Sequence, residues 1–276
     1  MHVKHFFKKS NTTSSFGESK YLDKEPFGYV DDAFNQVGET IISVDGISKI
    51  FKIGVVKKKE KIALNNVSFE IKENEHTAIL GANGAGKTTL VEIMCGLTKP
   101  TNGKVAYNLG TDNFKNQVGI QFQSTSYPSN LSVADIIKFI IKLYSIKIEN
   151  DRLKELMNIF GIDRIYRKNI SSLSGGEAQR VNTMLSLIHN PRILFLDELS
   201  TGLDIKIRTK IKQFIKNYAY KNKITIVIIS HDIEEIDYIA NHIIFLKEGQ
   251  KIIDTSKKDI ISKYGSLTNF FDQNIK

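Results

Sequence analysis

The segment that most constrains the fold is "GANGAGKTT" at 81–89, which matches the pattern G-x-x-x-x-G-K-[ST]. It follows a short apolar run, "HTAIL" at 76–80, and leads into "KTTLVEIMCGL" at 87–97, which has helical spacing. A strand, a glycine-rich loop and a helix in this order direct backbone N–H groups at a phosphate. The segment therefore predicts a nucleoside triphosphate site, in which Lys87 reaches the β- and γ-phosphates and Thr88 holds Mg²⁺.

Three further apolar runs have the length and composition of buried strands, and helical stretches separate them. They are "RILFLD" at 192–197, "ITIVIIS" at 224–230 and "NHIIFLK" at 241–247. Apolar strands that alternate with helices predict an α/β fold with a largely parallel sheet covered on both faces. Ahead of the glycine-rich loop, "TIISVDGI" at 40–47 predicts a strand, and residues 52–71 predict a hairpin with a basic tip.

The segment 131–190 is predicted to be mostly helical. Ser132 followed by Asp135 is typical of a capped helix start, and "NDRLKELMNIFG" at 150–161 has helical spacing and ends at a glycine. Residues 1–39 differ, because they show no apolar period and are rich in Ser, Thr, Asn, Asp and Gly. We expect them to form a flexible or loosely docked extension.

Composition narrows the class of protein. Cys95 is the only cysteine in 276 residues, so no disulfide framework is possible and a reducing cytosol fits. No run approaches the roughly 18 apolar residues that span a bilayer, and "MHVKHFFKKSNTTSS" lacks the apolar core of a secretory signal. We therefore expect that the chain does not enter a membrane by itself. The net charge of +9 comes from scattered lysines, typical of a solvated surface; attraction to nucleic acid or an anionic membrane is the alternative.

Polar groups suited to a phosphate site follow three of the predicted strands. "RILFLDE" ends in Asp197, which can meet Mg²⁺ through its water shell, and in Glu198, which can polarise an attacking water. "IVIISHD" places His231 where an imidazole can hydrogen-bond a γ-phosphate. "VGIQFQ" ends in Gln123, whose amide can complete a metal shell or orient water. Taken singly, a strand that ends in exposed acids and a purely structural histidine are the alternatives.

Five motifs occur in one order: "GANGAGKTT", "QFQ", "LSGGEAQR", "LFLDELSTGLD" and "ISHD". Together they resemble the ATP-binding subunit of an ABC transporter, from about Ile41 to Gln250. "LSGGE" ahead of an acid-pair strand is highly specific to that superfamily. The resemblance implies a P-loop NTPase core of the RecA-like type with an antiparallel β subdomain and an inserted helical subdomain at about 124–180. It divides the chain into an ATPase domain at 40–255 and a helical tail at 256–276.

The resemblance also implies roles for individual residues. The implied catalytic residues are Glu198, His231, Gln123 and Lys87. The implied metal-binding residues are Thr88, Gln123 and Asp197. The implied ATP-binding residues are Phe51, Gly81, Asn83, Gly84, Ala85, Gly86, Lys87, Thr88 and Thr89. Glu198 would be the base and Phe51 would stack on adenine, although the basic hairpin separates Phe51 from Gly81 by more residues than is usual.

The signature segment "LSGGE" is implied to serve the ATP of a second subunit. Family members pack head to tail, so that each ATP lies between the phosphate loop of one subunit and the signature of the other. The implied signature contacts are Ser174, Gly175, Gly176 and Glu177. Asp204 in "STGLD" is implied at the dimer seam. The chain departs from the family at Leu199, where Pro would fix φ at about −65°, and we expect a looser turn and a tuned rate.

The function that the resemblance implies is ATP hydrolysis that drives a separate transmembrane permease. The chain would be a peripheral subunit at the cytoplasmic face of the cell membrane, paired with a second ATPase subunit in a homodimer or heterodimer. A soluble ABC ATPase acting on nucleic acid or ribosomes is the alternative. The chain carries one ATPase module and neither a long coiled coil nor an aromatic–basic stacking surface, so we expect no nucleic-acid partner. "KFIIKLY" and "KYGSLTNFF" resemble exporter ATPases, which favours export over import.

Overall fold

The structure is a computed structural model and describes residues 37–53, 59–110, 114–122, 127–128, 130–199 and 205–274. The strands are β1 (Thr40–Ile53), β2 (Lys59–Lys72), β3 (Thr77–Leu80), β4 (Asn102–Tyr107), β5 (Val118–Gln121), β6 (Ile193–Asp197), β7 (Thr225–Ile229), β8 (His242–Lys247) and β9 (Gln250–Ser256). The helices are α1 (Lys87–Met94), α2 (Phe114–Gln117), α3 (Val133–Leu143), α4 (Asn150–Ile159), α5 (Gly175–Leu187), α6 (Ile205–Asn222), α7 (Ile233–Ile239), α8 (Lys257–Tyr264) and α9 (Leu267–Asn274).

A six-stranded sheet in the order β5-β6-β7-β3-β8-β9 lies at the centre of the described fold. Its neighbouring strands are parallel except for β8 and β9, which are antiparallel. All four residues of β3 are buried, with Ala78 and Leu80 in one core and Ile79 in the other. The predicted α/β fold with a largely parallel sheet is confirmed, because apolar side chains of these strands are buried on both faces.

A three-stranded antiparallel sheet in the order β2-β1-β4 covers one side of the central sheet. The core between them includes Ile42 and Leu64 from the smaller sheet and Ile79 and Ile244 from the larger one. The strand and the hairpin that the sequence predicted separately are one ladder, because β1 continues through its bulges and pairs with β2 along its whole length. The tip of that hairpin, at 54–58, lies outside the described residues.

The helical segment between β5 and β6 contributes side chains to the core that contains Ala78 and Leu80. They include Ile137, Leu156 and Phe160. The predicted cap at Ser132 is present: its hydroxyl accepts from the backbone N–H of Asp135 at 3.2 Å, and the carboxylate of Asp135 accepts from the backbone N–H of Ser132 at 3.1 Å. This reciprocal pair satisfies N–H groups that would otherwise be unpaired at the start of α3.

The two ends of the described chain are both tied to the domain. Glu73 accepts a backbone hydrogen bond from Gly38 and donates one to Glu39, each at 2.9 Å, so two residues assigned to the extension pair with the end of β2. Residues 1–36 lie outside the described part. At the other end, α8 and α9 occupy the segment of the predicted tail, and Leu267 and Phe270 are buried. Among the described residues, no helix is both long enough and apolar enough to cross a bilayer.

His76 is a buried titratable group directly ahead of β3. Its Nδ1 accepts the backbone N–H of Ile226 at 3.2 Å, which requires a neutral imidazole. Burial, with a smaller contribution from Lys216, lowers the pKa of His76 from 6.5 to about 3. Between these two values the unfolded chain binds a proton that the folded chain does not bind, so the stability of the fold falls as the pH decreases from 6.5 towards 3.

We therefore predict that replacing His76 by Gln makes stability less sensitive to acid. Between pH 7.5 and pH 5, His76 alone should lower the free energy of unfolding by about 2 kcal/mol. The measurement is urea unfolding of the wild type and of His76→Gln at several pH values between 7.5 and 5, conditions under which other titrating groups affect both chains alike. An equal loss in the two chains would contradict a titrating role for His76.

Candidate functional site

The phosphate loop occupies a narrow space between the two sheets. A Cβ atom at Gly81 would lie 2.3 Å from the carbonyl oxygen of Leu246 in β8, and one at Gly86 would lie 2.5 Å from that of Ala63 in β2. The φ angles of +151° and +100° at these positions also favour glycine. Gly86 begins α1 without a side-chain cap, which leaves the backbone N–H groups of the helix start available to an anion.

Lys87 lies across this loop. Its Nζ donates to the carbonyl oxygens of Gly81 at 2.8 Å and Ala82 at 3.0 Å. Burial lowers the pKa of Lys87, whereas the nearby carboxylates of Asp197 and Glu198 raise it. The ammonium group is thus held inside the loop that the sequence predicted to surround the phosphates, at the end of β3.

The acid pair lies at the end of β6, opposite this lysine. Burial and the charge of Glu198 raise the pKa of Asp197 to about 6, and Lys87 opposes the rise. A carboxyl group in this setting is stabilised in its charged form by an added cation. Together with the hydroxyl of Thr88, the pair offers only oxygen ligands, which suits Mg²⁺ that also binds phosphates and water. Among the described residues, no group of three or more acidic, histidine or cysteine side chains is arranged so that it could hold a metal ion.

These groups surround one cavity of about 470 Å³, a volume typical of small-molecule sites. The predicted residues that line it are Phe51, Asn83, Gly84, Gly86, Lys87, Thr88, Thr89, Asp197, Glu198 and His231. Gly81 and Ala85 belong to the same loop but face the core, where Ala85 is buried and accepts a backbone hydrogen bond from Gly249 at 3.1 Å.

Within the cavity, the imidazole of His231 approaches the acid pair. Its Nε2 lies 3.7 Å from Oε1 of Glu198, and about half of the His231 side chain is exposed. The next residue, Asp232, fixes the chain here because its carboxylate caps α7 and accepts a hydrogen bond from Arg208 at 3.0 Å. A γ-phosphate or an attacking water would meet both the imidazole and the carboxylate.

The cavity also includes Lys61, which belongs to the predicted basic hairpin and was given no part in the phosphate site. In the β1–β2 ladder, Lys61 lies directly opposite Phe51. Phe51 is 37% exposed, so its ring is available for stacking on a base, and Nζ of Lys49 lies 5.0 Å from the ring centroid. No local pattern marks Lys61 as part of the site, because its pairing with Phe51 depends on the bulges of the ladder.

The signature residues do not line this cavity. Ser174 caps α5: its hydroxyl accepts from the N–H of Glu177 at 3.2 Å, and the carboxylate of Glu177 accepts from the N–H of Ser174 at 3.0 Å. Ser174 and Gly175 are exposed, and a Cβ at Gly175 would meet no atom within 4 Å. Lys168 pairs with Glu177 at 2.9 Å. Within a single chain, the helix start that carries Gly175 and Gly176 is therefore open to another molecule.

Two predicted residues, Gln123 and Asp204, lie outside the described residues. The turn after the acid pair begins at Leu199, whose side chain is fully buried and whose carbonyl accepts a hydrogen bond from Gln179 at 3.2 Å. Residues 200–204 lie outside the described part, and the looser turn expected from Leu199 in place of Pro stays a prediction.

Comparison with known proteins gives a consistent picture. Residues 64–201 match the protein family described as "ABC transporter". The energy-coupling factor transporter ATP-binding protein EcfA2 of Thermotoga maritima is 33% identical over 81% of this chain and 85% of its own length. The zinc import ATP-binding protein ZnuC of Rickettsia conorii is 34% identical over 69% and 80%. A dimeric post-hydrolysis structure of the ATP-binding cassette MJ0796, bound to ADP and Pi, is 26% identical over 78% of this chain and 98% of that one, with a TM-score of 0.68.

The position of Glu198 generates a prediction. Glu198→Gln should slow ATP hydrolysis by about 10²–10⁴-fold, because an amide cannot accept the proton of the attacking water. ATP should still bind, since the phosphate loop and Lys87 are unchanged. Phosphate release and nucleotide binding measure the two effects, and Glu234→Gln, an exposed carboxylate of α7, is the matched control. Hydrolysis at the wild-type rate in Glu198→Gln would exclude Glu198 as the base.

Proposed function

The chain belongs to the ABC transporter family as an ATP-binding, ATP-hydrolysing subunit, and from this premise we propose that it works in a head-to-tail dimer that drives a separate permease. Each of the two ATP molecules would lie between the phosphate loop of one subunit and the signature of the other. The subunit would sit at the cytoplasmic face of the membrane through its contact with the permease.

The observation that carries this proposal is the separation of the two glycine-rich segments. The phosphate loop, the acid pair and His231 share one cavity, whereas the start of α5 with Ser174 and Gly175 is exposed and does not line it. The capped start of α5 has free space around Gly175, so it suits a phosphate of the ATP that is bound to the other subunit. The similarity to a dimeric cassette with ADP and Pi bound supports the same arrangement.

In this arrangement the residues of the cavity have separate roles in ATP binding and hydrolysis. Phe51 stacks on adenine, and the loop with Lys87 holds the phosphates. A water oxygen attacks the γ-phosphorus, the bond to the β–γ bridging oxygen breaks, and the carboxylate of Glu198 takes the proton of the water. His231 donates a hydrogen bond to the γ-phosphate. Mg²⁺ held near Asp197 and Thr88 would neutralise phosphate charge.

The direction of transport is a further part of the proposal. The sequence predicted export. The relative ZnuC is named a zinc import protein and EcfA2 an energy-coupling factor transporter protein. The name of ZnuC favours import as the second candidate. The permease decides the question. The complex would be co-purified from detergent extracts and reconstituted with its ATPase side outward. On addition of ATP, an exporter fills such vesicles with its substrate and an importer empties them.

The dimer itself generates the main prediction. Lys87→Ala removes the ammonium group from a subunit's own phosphate loop, and Ser174→Arg blocks its signature. Each mutant homodimer then has two defective sites. A mixed dimer has one site with both defects and one intact site, because the intact phosphate loop faces the intact signature. We expect the mixture to regain ATP trapping in one site of each mixed dimer.

The measurement is retention of labelled nucleotide by dimers isolated through different tags on the two mutants. Circular dichroism checks that Ser174→Arg, which also loses a helix cap, is still folded at the assay temperature. Confirmed mixed dimers that trap no more ATP than either parent would show that the signature does not act on the partner's nucleotide.

A further inference from the structure

Two buried glutamines contact the backbone of the acid pair. Nε2 of Gln121, the last residue of β5, donates to the carbonyl oxygen of Asp197 at 3.1 Å. Nε2 of Gln179, on α5, donates to the carbonyl oxygens of Glu198 at 2.9 Å and Leu199 at 3.2 Å. Gln121 and Gln179 are 1% and 6% exposed. Three successive carbonyl groups at the end of β6 are therefore held by amides from two other elements.

The backbone at this point needs such restraint. Glu198 has φ +56°, a left-handed conformation that is unfavourable for a residue with a Cβ atom. Its own N–H donates to the carbonyl oxygen of Ile229 at 2.9 Å. A residue of this kind keeps its conformation only where the surroundings fix it. Here they fix it on both sides, through Ile229 at the N–H and Gln179 at the carbonyl.

We propose that Gln121 and Gln179, the glutamine bracket, are positioning residues for hydrolysis, an inference that rests on the proposed role of Glu198 as the base. Their amides hold the backbone of residues 197–199, and this backbone sets where the carboxylate of Glu198 lies in the cavity. The bracket contacts no nucleotide group itself. It acts through Glu198, so that hydrolysis depends on it while ATP binding does not.

The bracket also connects the base to two other segments of the proposed site. Gln179 lies on the helix whose exposed start carries the signature, and Gln121 ends the strand that leads to Gln123. A shift of α5 relative to β6 has to lengthen the hydrogen bonds to Glu198 and Leu199. The position of the base therefore depends on the position of the signature helix.

The amide of Gln121 is bonded on its nitrogen side only. Its Oε1 is buried and has no hydrogen-bond partner in the part of the chain that the structure describes. Its Nε2 donates to the carbonyl oxygen of Asp197 at 3.1 Å and, more weakly, to that of Phe122 at 3.4 Å. The contribution of this buried amide is therefore its restraint of backbone carbonyl groups, that of Asp197 above all.

The test uses three methionine variants, because methionine has the length of glutamine but no amide. Gln121→Met and Gln179→Met remove the bracket. Gln117→Met is the matched control: Gln117 is also buried, donates to the carbonyl oxygen of Leu109 at 2.8 Å, and ends α2 directly before β5. Each variant is measured for kcat and KM of ATP hydrolysis and for melting temperature.

We expect Gln179→Met to lower kcat by about 10- to 100-fold, the effect of a catalytic group displaced by about 1 Å, with KM unchanged. Gln121→Met should lower kcat, and it should lower the melting temperature about as much as Gln117→Met does, because each change leaves a backbone carbonyl oxygen without its donor. Gln117→Met should lower the melting temperature and leave kcat unchanged. Since the bracket acts through Glu198, adding Gln179→Met to Glu198→Gln should cause no further loss of kcat.

The outcomes that overturn the inference differ from those that overturn the proposed function. Wild-type kcat in both bracket variants, or an equal loss of kcat in Gln117→Met, would show that the glutamines have no special relation to the base. A further loss in the double variant with Glu198→Gln would show that they act elsewhere. Wild-type hydrolysis in Glu198→Gln itself would instead refute the assignment of the base, on which the inference rests.

Discussion

The close approach of the phosphate loop to the two sheets is the constraint on which the rest of the structure depends. Gly81 lies against β8 of the parallel sheet and Gly86 against β2 of the antiparallel sheet, each with no room for a side chain. The loop thereby joins the two layers of the domain. It also places the start of α1 and Lys87 beside the end of β6, where the acid pair lies, and so determines the position of the cavity.

The cavity brings groups of opposite charge close together. Burial raises the pKa of Asp197 and lowers the pKa of Lys87, so it disfavours the charged form of both groups, while each group favours the charged form of the other. Such a site suits a ligand that brings negative charge to Lys87 together with a cation beside the carboxylates. Bound phosphates would compensate the lysine, and a divalent cation would compensate the two carboxylates, which makes the nucleotide with its metal a fitting ligand.

In the proposed dimer the site is completed by a second chain, which would link its chemistry to assembly. The signature starts a helix that is satisfied by its own capping box yet open to solvent. The same helix holds the backbone of Glu198 through Gln179. In the proposed dimer, closure around the partner's ATP and the placement of the base in the same subunit would thus involve one rigid element.

The sequence by itself determined the features that depend on residues close to one another in the chain. The strand, loop and helix around Lys87, the apolar strands of the parallel sheet and the capping box at Ser132 all follow from local spacing, because period and hydrogen-bond geometry act over a few residues. The order of the five motifs was sufficient to indicate the ABC transporter family. Tertiary structure alone decided that Lys61 lies opposite Phe51, that the side chain of Leu199 is buried, and that Gln121 donates to the carbonyl oxygen of Asp197. Gln121 and Asp197 are 76 residues apart in sequence. Their contact depends on the order of strands and on packing of the core, and no local pattern encodes either.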